Sequence, residues 1–236
     1  MPTLRVIGPG RAGRSLAAAL ERTGWRVDGF LGRGDDVSGA AAGVDLLVIA
    51  TPDDAVGRVA AAVEPVPTTV VAHLAGSFGL DVLGPHTRRA AVHPLVSLPD
   101  AEVGAVRLIG AWYAVAGDSM AGEVVAALQG RWFTVADADR AIYHAAAAVA
   151  SNHLVVLLAQ VERLATEAGV PMAAYLDLVR ATIENVAELG APAALTGPAA
   201  RGDVATVRRH LDAVAPDERP LYEALAAEAR RLAGCG

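Results

Sequence analysis

The decisive stretch of this sequence is Leu4-Arg5-Val6-Ile7-Gly8-Pro9-Gly10-Arg11-Ala12-Gly13. Its first four residues predict a short strand, its last six have the spacing GxGxxG, and the residues after it predict a helix. In such a unit the first glycine permits a tight turn, the second lets the backbone approach a pyrophosphate, and the third lets helix and strand pack closely. The stretch therefore predicts a dinucleotide-binding turn, and a purely structural turn is the alternative.

Further apolar runs alternate with helical segments up to about residue 136. Asp45 to Ala50 is almost continuously apolar, as expected of a parallel strand that is buried on both faces. The alternation predicts an α/β fold with a doubly wound parallel sheet of the Rossmann type. The other predicted strands are Trp25–Leu31, Thr69–Leu74, Arg89–Val92 and Trp112–Ala116.

The remainder of the chain has helical periodicity, punctuated by prolines. We predict a dinucleotide-binding domain over residues 1–136 and a smaller all-helical domain over residues 137–236, which binds substrate or forms a dimer. The apolar stretch 141–161 includes His144, Ser151, Asn152 and His153, which would be costly in a membrane, so we expect a buried helix of a soluble protein. The predicted helices are Asp139–Ala168, Met172–Leu189, Val204–Val214 and Pro220–Leu232.

Composition excludes several classes of function. The net charge of −6 and the scattered basic residues give no footprint for nucleic acid or for a membrane surface. The only cysteine, Cys235, allows no internal disulfide, and the early first strand leaves no room for a signal segment, so we expect a cytoplasmic protein. All 20 basic residues are arginine, which excludes lysine chemistry. The scattered histidines predict no metal site.

The residues after the second and third strands bear on the choice of cofactor. NAD sites usually have an acid at the end of the second strand, whereas this chain has Arg33, whose guanidinium suits a 2′-phosphate. We therefore favour NADP(H) over NAD(H), with a solvent-exposed arginine as the alternative. After the third strand, Thr51, Pro52 and Asp53 are expected to border the nicotinamide ribose, or to cap a helix.

Eight short stretches of the sequence match a known family. They are Gly8–Gly13, Ala50–Asp53, His73–Gly76, His93–Leu95, Tyr143–Ala147, Ala150–Asn152, Leu195–Pro198 and Arg201–Asp203. Through them the whole chain resembles the Rossmann-like proteins with a C-terminal domain of unknown function, DUF2520. That resemblance implies kinship with NADP-dependent oxidoreductases of the pyrroline-carboxylate reductase, 6-phosphogluconate dehydrogenase and ketopantoate reductase group. Family members are often encoded beside pantothenate-synthesis genes, an association that suggests 2-dehydropantoate as substrate.

Reduction of a carbonyl requires a proton donor beside the nicotinamide. His93, with Pro94 after the fifth strand, looks like the His-Pro segment of prephenate dehydrogenases, and Ser77 resembles the serine that bonds to that histidine. His93 is therefore the first candidate for acid/base work, and a turn histidine bonded to backbone is the alternative. We expect His73 to be a satisfied core residue, and His86 and His210 to lie on the surface.

The long helix and a later loop supply the candidate substrate contacts. At 100° per residue His144 and Ser151 share nearly one face, and Asn152 lies beside it. His153 is expected on the opposite face, pointing into packing. Asn152 is similar to the asparagine of the 6-phosphogluconate dehydrogenase group, which puts alanine at that group's lysine position. It is either a substrate contact or a buried structural amide. Thr196 and Arg201 could hold a substrate carboxylate, or serve as a cap and a surface ion pair.

Three functions remain open from the sequence. The first is NADPH-dependent reduction of a small keto acid, in the manner of 2-dehydropantoate. The second is reduction of a cyclic imine such as pyrroline-5-carboxylate, for which the missing lysine is no handicap. The third is a regulator that binds NADP(H) without catalysis. In each case the resemblance implies a homodimer formed through the helical domain.

Overall fold

The computed structural model describes residues 1–234 as two compact units, residues 1–151 and the chain from residue 152 onward. The first unit extends past the predicted boundary because Tyr143 and His144, on the helix after the last strand, contact His93 of the sheet. The predicted substrate or dimerisation role of the helical part stays a prediction. Cys235 lies outside the described residues.

The first unit is built on one seven-stranded sheet in the order β2-β1-β3-β4-β5-β6-β7. The first five strands are parallel, as predicted, but β6 pairs antiparallel with β5, and β7 is parallel to β6. The sheet is therefore mostly parallel. The strands are β1 (Thr3–Ile7), β2 (Arg26–Leu31), β3 (Leu46–Ile49), β4 (Val70–His73), β5 (Arg89–Pro94), β6 (Trp112–Gly117) and β7 (Arg131–Thr134).

Two differences from the predicted sheet have physical causes. Strand β7 is absent from the predicted sheet because this four-residue edge strand is mostly exposed and lacks an apolar run. His93 and Pro94 lie within β5 and not after it, because β6 extends the pairing with β5 through both residues. An apolar run does not encode the direction of a strand, and β6 pairs antiparallel with β5 from Ala90 to Pro94. Helix α3 (Ala101–Leu108) lies between these two strands in the chain and packs on α1 (Arg11–Arg22).

Apolar side chains cover both faces of the sheet, as expected for buried parallel strands. One face packs Leu4, Val6 and Val48 against α1, and the other packs Leu47 and Ile49 against α2 (Asp53–Ala62). The remaining helices are α4 (Met120–Ala127), α5 (Arg140–Ala148), α6 (Leu154–Glu167), α7 (Met172–Leu189), α8 (Ala191–Ala194), α9 (Val204–Ala213) and α10 (Arg219–Leu232).

The long predicted helix is not α-helical throughout. A π-helical turn, Val149–His153, separates α5 from α6. A π-turn has more residues per turn than an α-helix, so the count of 100° per residue that placed His144 and Ser151 on one face does not hold across it. His153, which was expected to point into packing, is exposed. The π-turn is also where the two units divide.

The helical unit buries few of its own side chains. Its buried residues, within the part of the chain that is described, are Gln160, Ala165, Val207, Val214 and Ala226. The segment Asp137–Glu167 is by length and composition apolar enough to cross a membrane, which is weak evidence for a span when only one such helix is found among residues 1–234. None of its most apolar window is buried, so the expectation of a buried helix is wrong for the single chain.

Candidate functional site

The parallel strands bring several candidate residues to one edge of the sheet. In the order β2-β1-β3 the connections from β1 and β3 leave the sheet in opposite directions, and ligands of doubly wound folds bind at such a switch point. Gly8 follows β1 and Thr51 closely follows β3 at this edge. Gly8 has a φ of +97°, and a Cβ atom there would lie 2.6 Å from the carbonyl oxygen of Ala50.

The glycine turn has the geometry of a pyrophosphate cradle. A Cβ atom on Gly13 would lie 2.4 Å from the carbonyl oxygen of Gly8, so the third glycine is required for close packing. A Cβ atom on Gly10 would meet no atom within 4 Å, so the second glycine leaves open space over the backbone. Helix α1 begins at Arg11 with no acidic residue in its first turn and no side-chain cap. These residues fit a bound dinucleotide phosphate.

The end of β2 presents both charges that bear on the choice of cofactor. Arg33 is exposed just after β2, and no described residue forms a hydrogen bond or ion pair with it. Asp35 folds back, and its carboxylate accepts a hydrogen bond of 2.7 Å from the backbone N–H of Gly32. An acid therefore stands closer to the end of β2 than the sequence order indicates.

The residues after β3 and β4 contact each other. Asp53 begins α2 and accepts a hydrogen bond of 2.9 Å from the hydroxyl of Ser77. The expected bond between Ser77 and His93 is therefore not made, because the hydroxyl has a carboxylate partner. The hydroxyl of Thr51 is buried and has no hydrogen-bond partner within residues 1–234. Pro52 is the N-cap residue of α2.

His93 and Tyr143 form a hydrogen-bonded pair at the same edge. The distance between Nδ1 of His93 and Oη of Tyr143 is 2.6 Å, and the two rings are perpendicular. The ring of His144 packs edge-on against His93 at 5.9 Å between centroids. Gly76 lies against both histidines, since a Cβ atom there would be 2.9 Å from Nε2 of His93 and 2.8 Å from His144. No described residue makes a hydrogen bond to Nε2 of His93.

Burial keeps His93 neutral near physiological pH. Loss of hydration, reinforced by the nearby His144, lowers the pKa of His93 from 6.5 to about 4. Burial raises the pKa of the Tyr143 phenol, and the charge of Arg140 partly opposes that rise. The pair therefore holds one phenolic and one imidazole proton at pH 7. A neutral His93 cannot by itself be a strong proton donor.

The other histidines are structural or peripheral. His73 is fully buried, and its Nδ1 accepts from the N–H of Ala75 while Nε2 bonds to the carbonyl of Gly79, as expected of a satisfied core residue. His86 was expected on the surface, but it is buried and bonds through Nε2 to the carbonyl of Ala60. His210 is exposed and pairs with Tyr222.

Two residues of this edge are not among the site residues predicted from the sequence. Tyr143 belongs to a matching stretch, and a tyrosine beside a histidine there is itself a signal for proton transfer. The other is Arg140, the first residue of α5, whose side chain is 1% exposed. Nothing in the sequence marks that arginine as buried, because 20 arginines are spread along the chain.

The remaining candidates lie at the unit boundary or in the second unit. Ser151 is half-buried in the π-turn, and Asn152 is exposed, so Asn152 is not a buried amide. Thr196 and Arg201 are exposed, and Asp203 caps α9 by accepting a hydrogen bond of 3.0 Å from the N–H of Thr206. Their contact with a substrate stays a prediction. Residues 1–234 contain no group of three side chains suited to a metal ion.

The lowered pKa of His93 predicts a dependence of stability on pH. Between about pH 4 and 6.5 the unfolded chain binds a proton at His93 that the folded protein does not. The contribution of neutral His93 to the free energy of unfolding is therefore fully present above pH 6.5, and it is lost as the pH falls toward about 4. We expect the thermal unfolding midpoint to fall over this range, and to fall less for His93→Gln. Exposed His153→Gln is the control, and equal pH dependence in all three proteins would contradict the assignment.

Residues 113–229 match the family model described as a domain of unknown function, DUF2520. No curated protein matches the chain. A Bacteroides fragilis protein described as a candidate NADP oxidoreductase is 21% identical, with a TM-score of 0.81 and 98% of each chain covered. A Thermotoga maritima protein is 19% identical, with a TM-score of 0.72 and the same coverage.

The pyrroline carboxylate reductase of Plasmodium falciparum, solved with NADP bound, is 12% identical, with a TM-score of 0.64 and 98% of each chain covered. At such identities these likenesses establish the fold, which is that of Rossmann-like reductases with a helical C-terminal part. The chain therefore has a Rossmann-like fold, and its residues 113–229 match the DUF2520 model.

Proposed function

We propose that this protein is an NADP(H)-dependent oxidoreductase that reduces a small carbonyl compound, with keto acids as the first class to test. The observation that carries the proposal is the His93–Tyr143 pair, which lies at the same sheet edge as the open glycine turn. Similarly folded proteins include one described as a candidate NADP oxidoreductase and one solved with NADP, which supports the choice of cofactor.

The glycine turn and the residues after β2 and β3 would together bind the cofactor. The N–H groups at the start of α1 face the pyrophosphate, and Gly10 gives it room. Thr51 and Asp53 border the nicotinamide ribose, which would give the orphaned hydroxyl of Thr51 a partner. The unpaired guanidinium of Arg33 holds the 2′-phosphate, whereas Asp35 would favour the free 2′-hydroxyl of NAD.

Arg33→Ser is expected to weaken NADPH binding by roughly 10- to 100-fold, because charge-assisted hydrogen bonds to a phosphate are lost. NADH binding is expected to stay unchanged, since NADH has no 2′-phosphate. Both affinities can be measured by fluorescence titration. Arg22→Ser, in the last turn of α1, is the matched control. Tighter binding of NADH than of NADPH by the unmodified protein would assign this position to Asp35 instead.

The His93–Tyr143 pair can supply the proton that carbonyl reduction needs. The bound reduced nicotinamide supplies the hydride. With the phenolic O–H of Tyr143 donating to Nδ1, the neutral His93 carries its proton on Nε2, the nitrogen without a partner among the described residues. Nε2–H then donates to the developing alkoxide while the phenolic proton moves to Nδ1. His93 ends neutral with its proton on Nδ1, and Tyr143 ends as the phenolate. A proton from solvent then adds to Nε2 while the Nδ1 proton returns to the phenolate, which restores the starting pair.

This relay separates ketone reduction from imine reduction. Tyr143→Phe removes the phenolic proton and is expected to lower kcat for ketones by about 10²- to 10⁴-fold while NADPH affinity stays unchanged. A protonated cyclic imine needs no such donor, so its turnover would survive the substitution. A panel of keto acids, including 2-dehydropantoate, and cyclic imines would be assayed by NADPH oxidation.

The control for this prediction is Tyr222→Phe. His210 and Tyr222 repeat the 2.6 Å distance and perpendicular rings of the proposed pair at an exposed position. NADPH binding without turnover of any substrate would contradict catalysis and favour the binding regulator. Full ketone turnover in Tyr143→Phe would exclude the relay.

We further propose that the helical unit pairs with a second copy of the chain. Its buried side chains are too few for a core of its own, while apolar side chains of α6 and α7 are exposed, among them Val155, Leu178 and Ile183. A second copy is favoured over lipid because the apolar stretch includes Ser151, Asn152, His153 and Gln160. A cytoplasmic location stays a prediction.

Leu178→Glu is expected to convert the dimer into monomers, because it places a charge within the apolar surface that the second copy would cover. Sedimentation velocity measures the change. Leu178 is 62% exposed in the single chain, and Val106 on α3 of the sheet unit is 61% exposed, so Val106→Glu is a matched control. A monomeric unmodified protein, or a dimer that tolerates Leu178→Glu, would exclude this interface.

A further inference from the structure

Arg140 is a buried cation, and four of its five N–H donors have no hydrogen-bond partner among the described residues. Its side chain is 1% exposed, and Nε donates to Oδ1 of Asp137 at 3.0 Å. Both terminal nitrogens, Nη1 and Nη2, are buried, and neither has a hydrogen-bond partner within the described chain. Burying a guanidinium in this way is unfavourable, because its terminal nitrogens lose their hydrogen bonds to water and gain none from the described residues.

The ion pair with Asp137 does not compensate the buried charge of Arg140. Its side chain is 65% exposed, so water screens its charge, and it contacts only Nε. The edge formed by Nη1 and Nη2 is the one that pairs with both oxygens of a carboxylate. The unused edge is therefore suited to an anion with two oxygens.

The charge of Arg140 acts on the residues of the proposed proton relay. It adds to the lowering of the pKa of His73 and His93 and partly opposes the rise in the pKa of Tyr143. Its partner Asp137 packs against Gly79, where a Cβ atom would lie 2.6 Å from the carboxylate. Gly79 ends the loop after β4 that also brings Gly76 against His93.

We propose that Arg140 binds a carboxylate of the substrate, which makes the substrate a 2-oxo acid whose charged group adjoins the reacting carbonyl. This inference rests on the proposed function and narrows its substrate class. The carboxylate pairs with Nη1 and Nη2 while the neighbouring carbonyl oxygen faces Nε2 of His93. Arg201, expected from the sequence to hold the carboxylate, is exposed and belongs to the second unit.

The first test measures anion binding without catalysis. The probe is oxamate, a carboxylate analogue of 2-oxo acids that is not reduced, added with NADP to the full chain during thermal unfolding. Oxamate is expected to raise the midpoint of the unmodified protein and of Arg22→Met and Arg201→Met, but not of Arg140→Met. Equal stabilisation of Arg140→Met would overturn the proposal, as would loss of the effect in Arg201→Met alone.

The same variants separate a binding role from a structural one. Without oxamate, Arg140→Met is expected to unfold at the same or a higher temperature, because an uncompensated buried charge is replaced by a well-packed apolar side chain. A lower midpoint would mean that the ion pair with Asp137 is structural, and would overturn the proposal. If Arg140→Met does not fold, Arg140→Lys keeps the charge but loses the fork, and about a tenfold weaker oxamate affinity is expected.

The second test uses a pair of substrates that differ only in charge. Pyruvate and methyl pyruvate have the same ketone, and only pyruvate has a carboxylate. Arg140→Met is expected to lower kcat/KM for pyruvate by about 100-fold and to leave methyl pyruvate unaffected, in line with loss of a charge-assisted pair. Oxamate binding without NADPH oxidation would overturn the reductase and keep the anion site. Reduction of both compounds without an oxamate response would support the reductase and overturn the anion site.

Discussion

The close approach of the turn after β1 to the end of β3 is the constraint on which this molecule depends. Gly8 must lie against the carbonyl of Ala50, and Gly13 must lie against the carbonyl of Gly8, at distances that exclude any side chain. That contact fixes α1 over the sheet with its first turn uncapped. It also fixes the switch point, toward which β4 and β5 bring the loop at Gly76 and the ring of His93.

At that edge of the sheet, burial determines the protonation state of His93 and leaves Arg140 without a full set of partners. Because His93 is held neutral, with a pKa of about 4, it can relay a proton but cannot store one at pH 7. In the proposed relay Tyr143 is the source of the proton, a role that no lysine can take in this chain. The same burial makes Arg140 a cation with unused donors, and the carboxylate of the proposed substrate would complete an ion pair there.

The sequence predicted the parts of the fold that depend on local patterns. The first five strands, α1 and the bounds of α7 follow from apolar periodicity and glycine or proline punctuation. The antiparallel direction of β6 and the existence of β7 did not follow, because both depend on pairing between strands that a local apolar pattern does not encode. The π-turn could not be predicted either, since it shifts the helical phase without a sequence signature.

By itself, the sequence determined the glycine turn, because only glycine fits the backbone conformation and the contacts found there. It also determined that no amine of a lysine takes part in catalysis. Only the tertiary structure decided that Ser77 bonds to Asp53, that His93 bonds to Tyr143, and that Arg140 is buried without a full set of partners. The physical reason is that hydrogen bonding and desolvation depend on residues from distant parts of the chain, such as His93 and Tyr143, whose proximity no local pattern encodes.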